Sequence, residues 1–294
     1  MRTDDPRQRR ESGWHRAPRM TMASVSLLSA LTVGDVGSMV SLPATAAVST
    51  SRSGVERTIK DPAIVESSGL ARSHYRPSRL WTHNDSGGGS TIYALGRTGR
   101  TTARYQLLHA SHLDWEGMAS AQRQGVSYLF VGDIGDNGAR RSSVFVHRVR
   151  EPRPEGQRRL LDPTTFEFEY PDGAHNAETL MVRPGSMRIY IVTKGKKVPG
   201  SFYVAPRVPS SKRVNLLRRI GPAPAGMADG VFLDRHRFIL RRYEGGWLYR
   251  RMSGKPVRFA LPIKGESITK GSRAGQVLIG SEGRYSDIWR VSLP

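Results

Sequence analysis

Asp114-Trp-Glu-Gly-Met-Ala119 decides the reading of this chain, because the phrase recurs. Related phrases stand at Glu66-Ser-Ser-Gly-Leu-Ala71, Asn176-Ala-Glu-Thr-Leu-Met181, Met227-Ala-Asp-Gly-Val-Phe232 and Lys264-Gly-Glu-Ser-Ile-Thr269. Aligned, they place Ser68, Glu116, Glu178, Asp229 and Glu266 in one column, followed by a small residue and then an apolar one. They fall about fifty residues apart, the period of a repeated structural unit. Each phrase leads into runs rich in β-branched and aromatic residues, bounded by Gly, Pro, Asn or Asp, which read as strands. Second strands are expected at Leu80–Asn84, Tyr128–Asp133, Arg188–Lys194, Arg237–Arg241 and Gln276–Gly280, and third strands at Thr91–Leu95, Val144–Val149, Ser201–Ala205, Trp247–Arg250 and Asp287–Val291. Fourth strands are expected at Thr102–Leu107, Thr165–Tyr170, Asn215–Ile220 and Val257–Leu261.

Four-stranded units repeated radially predict an all-β fold, a five-bladed β-propeller over 52–294. The last unit supplies three strands, and the run Val55–Lys60 is expected to complete it and close the ring, which hides exposed sheet edges. The longer interval around Arg150–Pro163 leaves room for a sixth blade. A two-sheet sandwich also has short, evenly spaced strands, but it gives no reason for an acid to recur once per unit.

The chain has 294 residues, with 46 Lys+Arg against 25 Asp+Glu, a formal net charge of +21 and no cysteine. Without thiols, disulfide scaffolds, Cys-based zinc sites, iron–sulfur clusters and Cys nucleophiles are excluded. The charge alone invites nucleic acid, but it comes mostly from Arg scattered singly or in pairs, with only eight Lys. A nucleic-acid partner is therefore not expected. Residues 1–47 read as an export segment, with an Arg-rich start, two stretches of mostly apolar and small residues, and Ala44-Thr45-Ala46 matching a small-x-small cleavage site. Cleavage near Ala46 predicts a secreted, extracellular protein, taken as a monomer. The apolar run is interrupted by Asp35 and is too short for a stable membrane anchor.

Each repeat phrase opens its unit and is the natural innermost strand. Side chains two apart share a face, so Asp114 with Glu116, and Asn176 with Glu178, can face the axis, joined by Asp229 and Glu266. Further acids follow second strands: Asp85 in His83-Asn-Asp-Ser-Gly-Gly88, and Asp133 and Asp136 in Gly132-Asp-Ile-Gly-Asp-Asn137. Clustered carboxylates repel and raise each other's pKa. A hard divalent cation relieves this, and an all-oxygen set favours Ca²⁺ over zinc or copper. Ion pairs with Lys194, Arg241, Arg242 and Lys270 relieve it equally well. His83 and His175 are candidate general bases, and Lys194 and Arg241 candidate anchors for an anionic substrate group. His109-Ala-Ser-His112-Leu-Asp114 has metal-ligand residue types but reads as a connecting loop. No Gly-x-Ser-x-Gly elbow, phosphate-cradling Gly-x4-Gly-Lys or His-Glu-x-x-His is present.

The phrases at Glu66–Ala71, Leu80–Gly88, Asp114–Ala119, Leu129–Asn137 and Asn176–Val182 resemble exported bacterial β-propellers described as SdiA-regulated or phytase-like esterases. The resemblance covers roughly residues 63–292. It implies a propeller with calcium near the axis, ester or phosphoester hydrolysis in some members, and Asp114, Glu116, Asp133, Asp136 and Glu178 as axial ligands. The chain lacks the paired-aspartate motifs of β-propeller phytases, which counts against phosphate-ester hydrolysis. Two functions stay open: a Ca²⁺-dependent hydrolase of a phosphoester, ester or lactone, and a non-catalytic envelope propeller that binds a small molecule or cell-wall polymer.

Overall fold

Strand pairing follows the repeat unit by unit. The computed structural model describes residues 53–153, 159–195, 198–261 and 263–294; the expected export segment and its cleavage site lie outside the described residues. The first blade is Ser67–Arg72, Leu80–Asn84, Thr91–Leu95 and Thr101–Leu107, and the second is Trp115–Arg123, Val126–Asp133, Val144–Arg150 and Thr164–Glu169. The third is Ala177–Val182, Ile189–Thr193, Gly200–Val204 and Arg218–Ala223, and the fourth is Asp229–Phe232, Phe238–Arg242, Gly245–Tyr249 and Val257–Ala260. The fifth takes Ser267–Lys270, Gln276–Gly280 and Asp287–Ser292 from the end of the chain and Ser53–Thr58 from its start. Ser53 pairs with Val291 and Thr58 with Asp287, so the N-terminal strand closes the ring antiparallel to the last one. The Thr58 hydroxyl adds a bond to the Asp287 carboxylate at 2.5 Å.

The innermost strands touch one another in cyclic order, the fifth returning to the first. All point the same way, because equivalent residues meet: Gly69 lies against Glu116 and Met118, and Gly117 against Glu178 and Leu180. Apolar residues from adjoining faces fill the wedges between blades, with Trp81 and Trp115 fully buried. Trp247 is only half-buried, under the guanidinium of Arg258.

The long interval before the second blade's outer strand holds no sixth blade among the described residues. Leu160–Leu161 instead pairs in parallel with the outer edge of the first blade. The expected strand Asn215–Ile220 likewise divides. Asn215–Leu216 joins the outer edge of the second blade, and Arg218–Ala223 becomes the outer strand of the third. Both short pieces cover edges that would otherwise stay unpaired. Among the described residues no helix is long and apolar enough to cross a membrane.

The small residue of each phrase is what lets the ring close. A Cβ on Gly117 would sit 2.5 Å from the Leu180 amide nitrogen and 3.0 Å from the Glu178 carbonyl, both backbone atoms that cannot swing aside. Gly117→Ala is expected to destabilise the protein by about 1–3 kcal/mol, the usual cost of overpacking. Gly54→Ala, where nothing lies within 4 Å, is the neutral control; denaturant titration of both variants measures the difference.

Candidate metal centre

The acids gather where the innermost strands begin, and β-bulges re-aim two of them, Glu116 and Glu178. Pairing of the first strand with the second slips between Ser67 and Gly69, between Trp115 and Met118, and between Ala177 and Thr179. The extra residue at each slip includes Ser68, Glu116 or Glu178, and a bulge re-aims the side chain it carries. The fourth and fifth blades have no such slip there. Asp229, in regular pairing, is fully buried and accepts the amides of Gly230 at 2.7 Å and Ile268 at 2.8 Å. It ties its own strand to the innermost strand of the next blade rather than facing the axis.

Three acids converge. One carboxylate oxygen each from Asp85, Asp114 and Glu116 lies within 4.8 Å of the other two, a set that could hold a metal ion. Two of these come from loops that the backbone pins together: the Trp115 amide donates to the Asp85 carbonyl at 3.1 Å, and the Gly135 amide to the Asp114 carbonyl at 3.1 Å. Gly135 is required for this, since a Cβ there would fall 2.2 Å from the Asp114 carboxyl carbon. Asp85 Oδ1 is buried with no hydrogen-bond partner. Burial, and then the neighbouring Asp114, push the Asp85 carboxyl up to about 7. Glu116 is pushed up to about 11, by burial first and then by Glu178, Asp85 and Asp114. Glu266 reaches about 8 through burial and its Glu282 neighbour. Against these acids stands Lys194, which pairs directly with Glu178 and is itself raised by that pairing despite its burial.

The remaining sequence candidates take other places. Asp133 is fully buried and binds the Arg141 guanidinium at 2.8 Å and the Asp114 amide at 3.1 Å; these bonds outweigh burial and hold its carboxyl low. Asp136 caps the turn that follows it, accepting the Arg140 and Arg141 amides at 2.7 and 2.8 Å. Both acids therefore shape the loop beside Asp114. Arg241 is completely buried, its guanidinium donating to the carbonyls of Ser267, Tyr243 and Ile263, so it is not open to a substrate. His83 is also completely buried, with Nδ1 on the Asn84 carbonyl at 3.0 Å and its ring edge-on to Trp115, and burial lowers it to about 4. It occupies the space left by Gly69, whose Cβ would meet its Nε2 at 2.3 Å. His175 sits in a separate cluster, 3.0 Å from both Asp172 and the Tyr203 hydroxyl and edge-on to Tyr170. His112 packs on Trp115. Lys270 lies near Arg72 at the far ends of the innermost strands rather than among the acids.

Glu282 and Glu66 were not singled out from sequence, yet both bear on Asp85, and the Ser68 hydroxyl donates to Glu282 at 3.2 Å. Their signal was positional. Glu282 follows the second strand of its blade just as Asp85 does, and Glu66 opens the first repeat phrase.

No family model and no curated protein matches the chain. Among solved structures, a gluconolactonase from Xanthomonas campestris is similar, with 12% identity over 84% of this chain and 91% of that one, at a TM-score of 0.46.

The carboxyls with raised pKa bind more protons folded than unfolded, so their contribution to stability is intact below their ordinary values near 4 and is lost as pH rises through the folded ones. In chelator, the melting temperature is expected to fall between pH 6.5 and pH 8 as Asp85 and Glu266, near 7 and 8, lose protons, a window above the one in which the buried His83 and His147, lowered to about 4, act in the opposite sense. Glu116→Gln should raise the melting temperature at pH 8 by several degrees. A flat or rising profile from pH 6.5 to 8 would contradict the crowding of acids described above.

Proposed function

We propose that the axial acids hold a hard divalent cation, Ca²⁺ by preference, and that the protein is an exported hydrolase of a carboxylic ester or lactone, with a phosphoester as the less favoured substrate. One observation carries the reading: the convergence of Asp85, Asp114 and Glu116, with a buried Asp85 oxygen that no protein group satisfies. An all-oxygen set rich in carboxylate suits Ca²⁺. The resemblance of the repeat phrases to exported propellers of the phytase-like-esterase type supports the same reading.

Bound there, the ion supplies a Lewis acid for a substrate oxygen and a means of acidifying water. The chain's own residues do the rest. Lys194, with 25% of its side chain exposed beside Glu178, offers a positive charge to an oxygen that becomes negative in the transition state. Glu266, titrating near 8 and receiving the Tyr243 hydroxyl, is suited to take up and return a proton near neutral pH. Leu113, 67% exposed next to Asp114, gives the apolar part of an ester a surface to rest on. Neither His83 nor Arg241 takes part, because neither reaches solvent.

That burial is also the observation favouring the second reading, a non-catalytic envelope propeller in which the same ion only braces the ring and the ligand is a small molecule or cell-wall polymer. Thermal melts and a hydrolysis panel separate the two. Ca²⁺ at about a hundred times its Kd should stabilise the wild type by about 2.7 kcal/mol, and Asp85→Asn and Glu116→Gln should lose that shift. Wild type should cleave an aryl ester or an aldonolactone in Ca²⁺ and stop in EDTA. A Ca²⁺ shift with no turnover of ester, lactone or phosphoester leaves only the binding propeller, and no shift with any divalent cation removes both readings.

A further inference from the structure

The opposite mouth of the ring has the reverse charge. Innermost strands with an acid at or just before their start end in or run into a base: Arg72 ends the first, which Glu66 precedes, Arg123 ends the second and Lys270 the fifth, and Arg183 follows the third. At about 3.3 Å per residue, these bases stand well away from the acids on the same strands. Between the two mouths the axis is nearly filled. Met118, Met181, Val231 and Thr269 surround a void of only about 20 Å³, close to the room one water needs.

At this second mouth a cavity of about 440 Å³ is lined by Arg72, His74, Arg237, Lys270, Arg273 and Gln276, with no acid on its walls. Arg72 is 8% exposed. Its Nε donates to the Lys270 carbonyl at 2.8 Å and its Nη1 to the Pro77 carbonyl, while Nη2, though buried, has no partner. Lys270 has no ion-pair partner among the described residues, and burial together with the Arg72 charge lowers its ammonium. Three acids come near but are engaged. Asp234 holds Arg237 at 2.6 Å, Glu151 holds the Trp81 indole and the Ser127 hydroxyl, and Glu56, whose charge bears on Arg72, holds Arg57 at 3.4 Å and Arg290 at 2.9 Å. A buried guanidinium with a free N–H beside a half-buried ammonium is costly unless an anion completes it. Arg273 is exposed at the cavity rim and also faces an adjoining cavity lined by Arg97, Arg290 and the Glu56 that pairs with Arg290, where bases outnumber the acid.

We propose that this cavity is a second ligand site, distinct from the acidic mouth, that binds the phosphate group of a small phosphorylated compound between Arg72, Lys270 and Arg273. A phosphate offers several acceptor oxygens and up to two negative charges, matching a guanidinium fork and an ammonium in one small space. The site does not depend on the cation at the other mouth.

The test uses the full-length protein with inorganic phosphate and glycerol phosphate as probes, followed by calorimetry and thermal melts at constant ionic strength, with chloride as the control anion. Saturable binding of at least one probe is expected. Preference for glycerol phosphate would identify an organic phosphate as the ligand, and equal binding would identify the free ion. Lys270→Gln should weaken binding at least tenfold and, in phosphate-free buffer, raise the melting temperature, because it removes an uncompensated charge. Arg273→Gln, on an exposed loop, should weaken binding without changing the melting temperature. Absence of saturable binding to either probe, or binding that both variants leave unchanged, would overturn the proposal.

Discussion

Ring closure is the constraint from which the rest of this molecule follows. Five innermost strands must run side by side in one direction around a narrow axis, so residues at equivalent positions are brought together whatever their charge. An acid in the repeat phrase is unremarkable on one strand. With Glu116 beside Glu178 and within reach of Glu266, it becomes a buried cluster whose carboxyls are forced toward protonation by desolvation and mutual repulsion. The residue after the acid bears the same constraint from the other side. Gly69, Gly117 and Gly230 stand where neighbouring strands pass too closely for a side chain, while Thr179 and Ser267 fill the equivalent positions of the other two strands.

The repeat column made the propeller and its closing strand legible, because period and residue type are properties of sequence. Which acids face the axis was not legible: for Glu116 and Glu178 it depends on a one-residue slip in pairing, while Glu266 joins them without one, from just before its strand. Glu116 and Glu178 sit at bulges and turn inward, whereas Asp229, in regular pairing, turns to the amides of Gly230 and Ile268. The same alignment therefore held two kinds of acid, one that loads the axis and one that stitches adjacent blades. Asp133 and Asp136 illustrate a second limit. Their spacing after the second strand suits ligands, but Arg141 and the turn amides that satisfy them come from residues a few places further on, where nothing in the spacing distinguishes a capped carboxylate from a free one.

Solvent exclusion separates the candidate chemistry from the scaffold more sharply than residue type does. His83 and Arg241 have the side chains expected of a base and an anion anchor, yet each is used to fill or fasten the ring: His83 under Trp115 against Gly69, Arg241 across four backbone carbonyls. Lys194 and Glu266, with part of each side chain open and their partners also at the axis, are the groups that can meet a ligand.

The net charge of +21 hides this organisation. Scattered Arg dominate the total, so the acids at four of the five strand starts are outnumbered, and the basic strand ends look like more of the same. Strand direction distinguishes them. Because all innermost strands point one way, a sequence that begins most of them with an acid and ends several with a base builds two mouths of opposite sign, with Met118 and Met181 closing the axis between them. Opposite charges on one strand that could have paired in solution are held apart by the length of the strand, and apart from the Lys194–Glu178 pair each mouth is left with like charges crowded together. Such an arrangement costs electrostatic energy at both ends, and a ligand of opposite charge would recover it: on the readings proposed above, a cation among Asp85, Asp114 and Glu116 and an oxyanion beside Arg72 and Lys270.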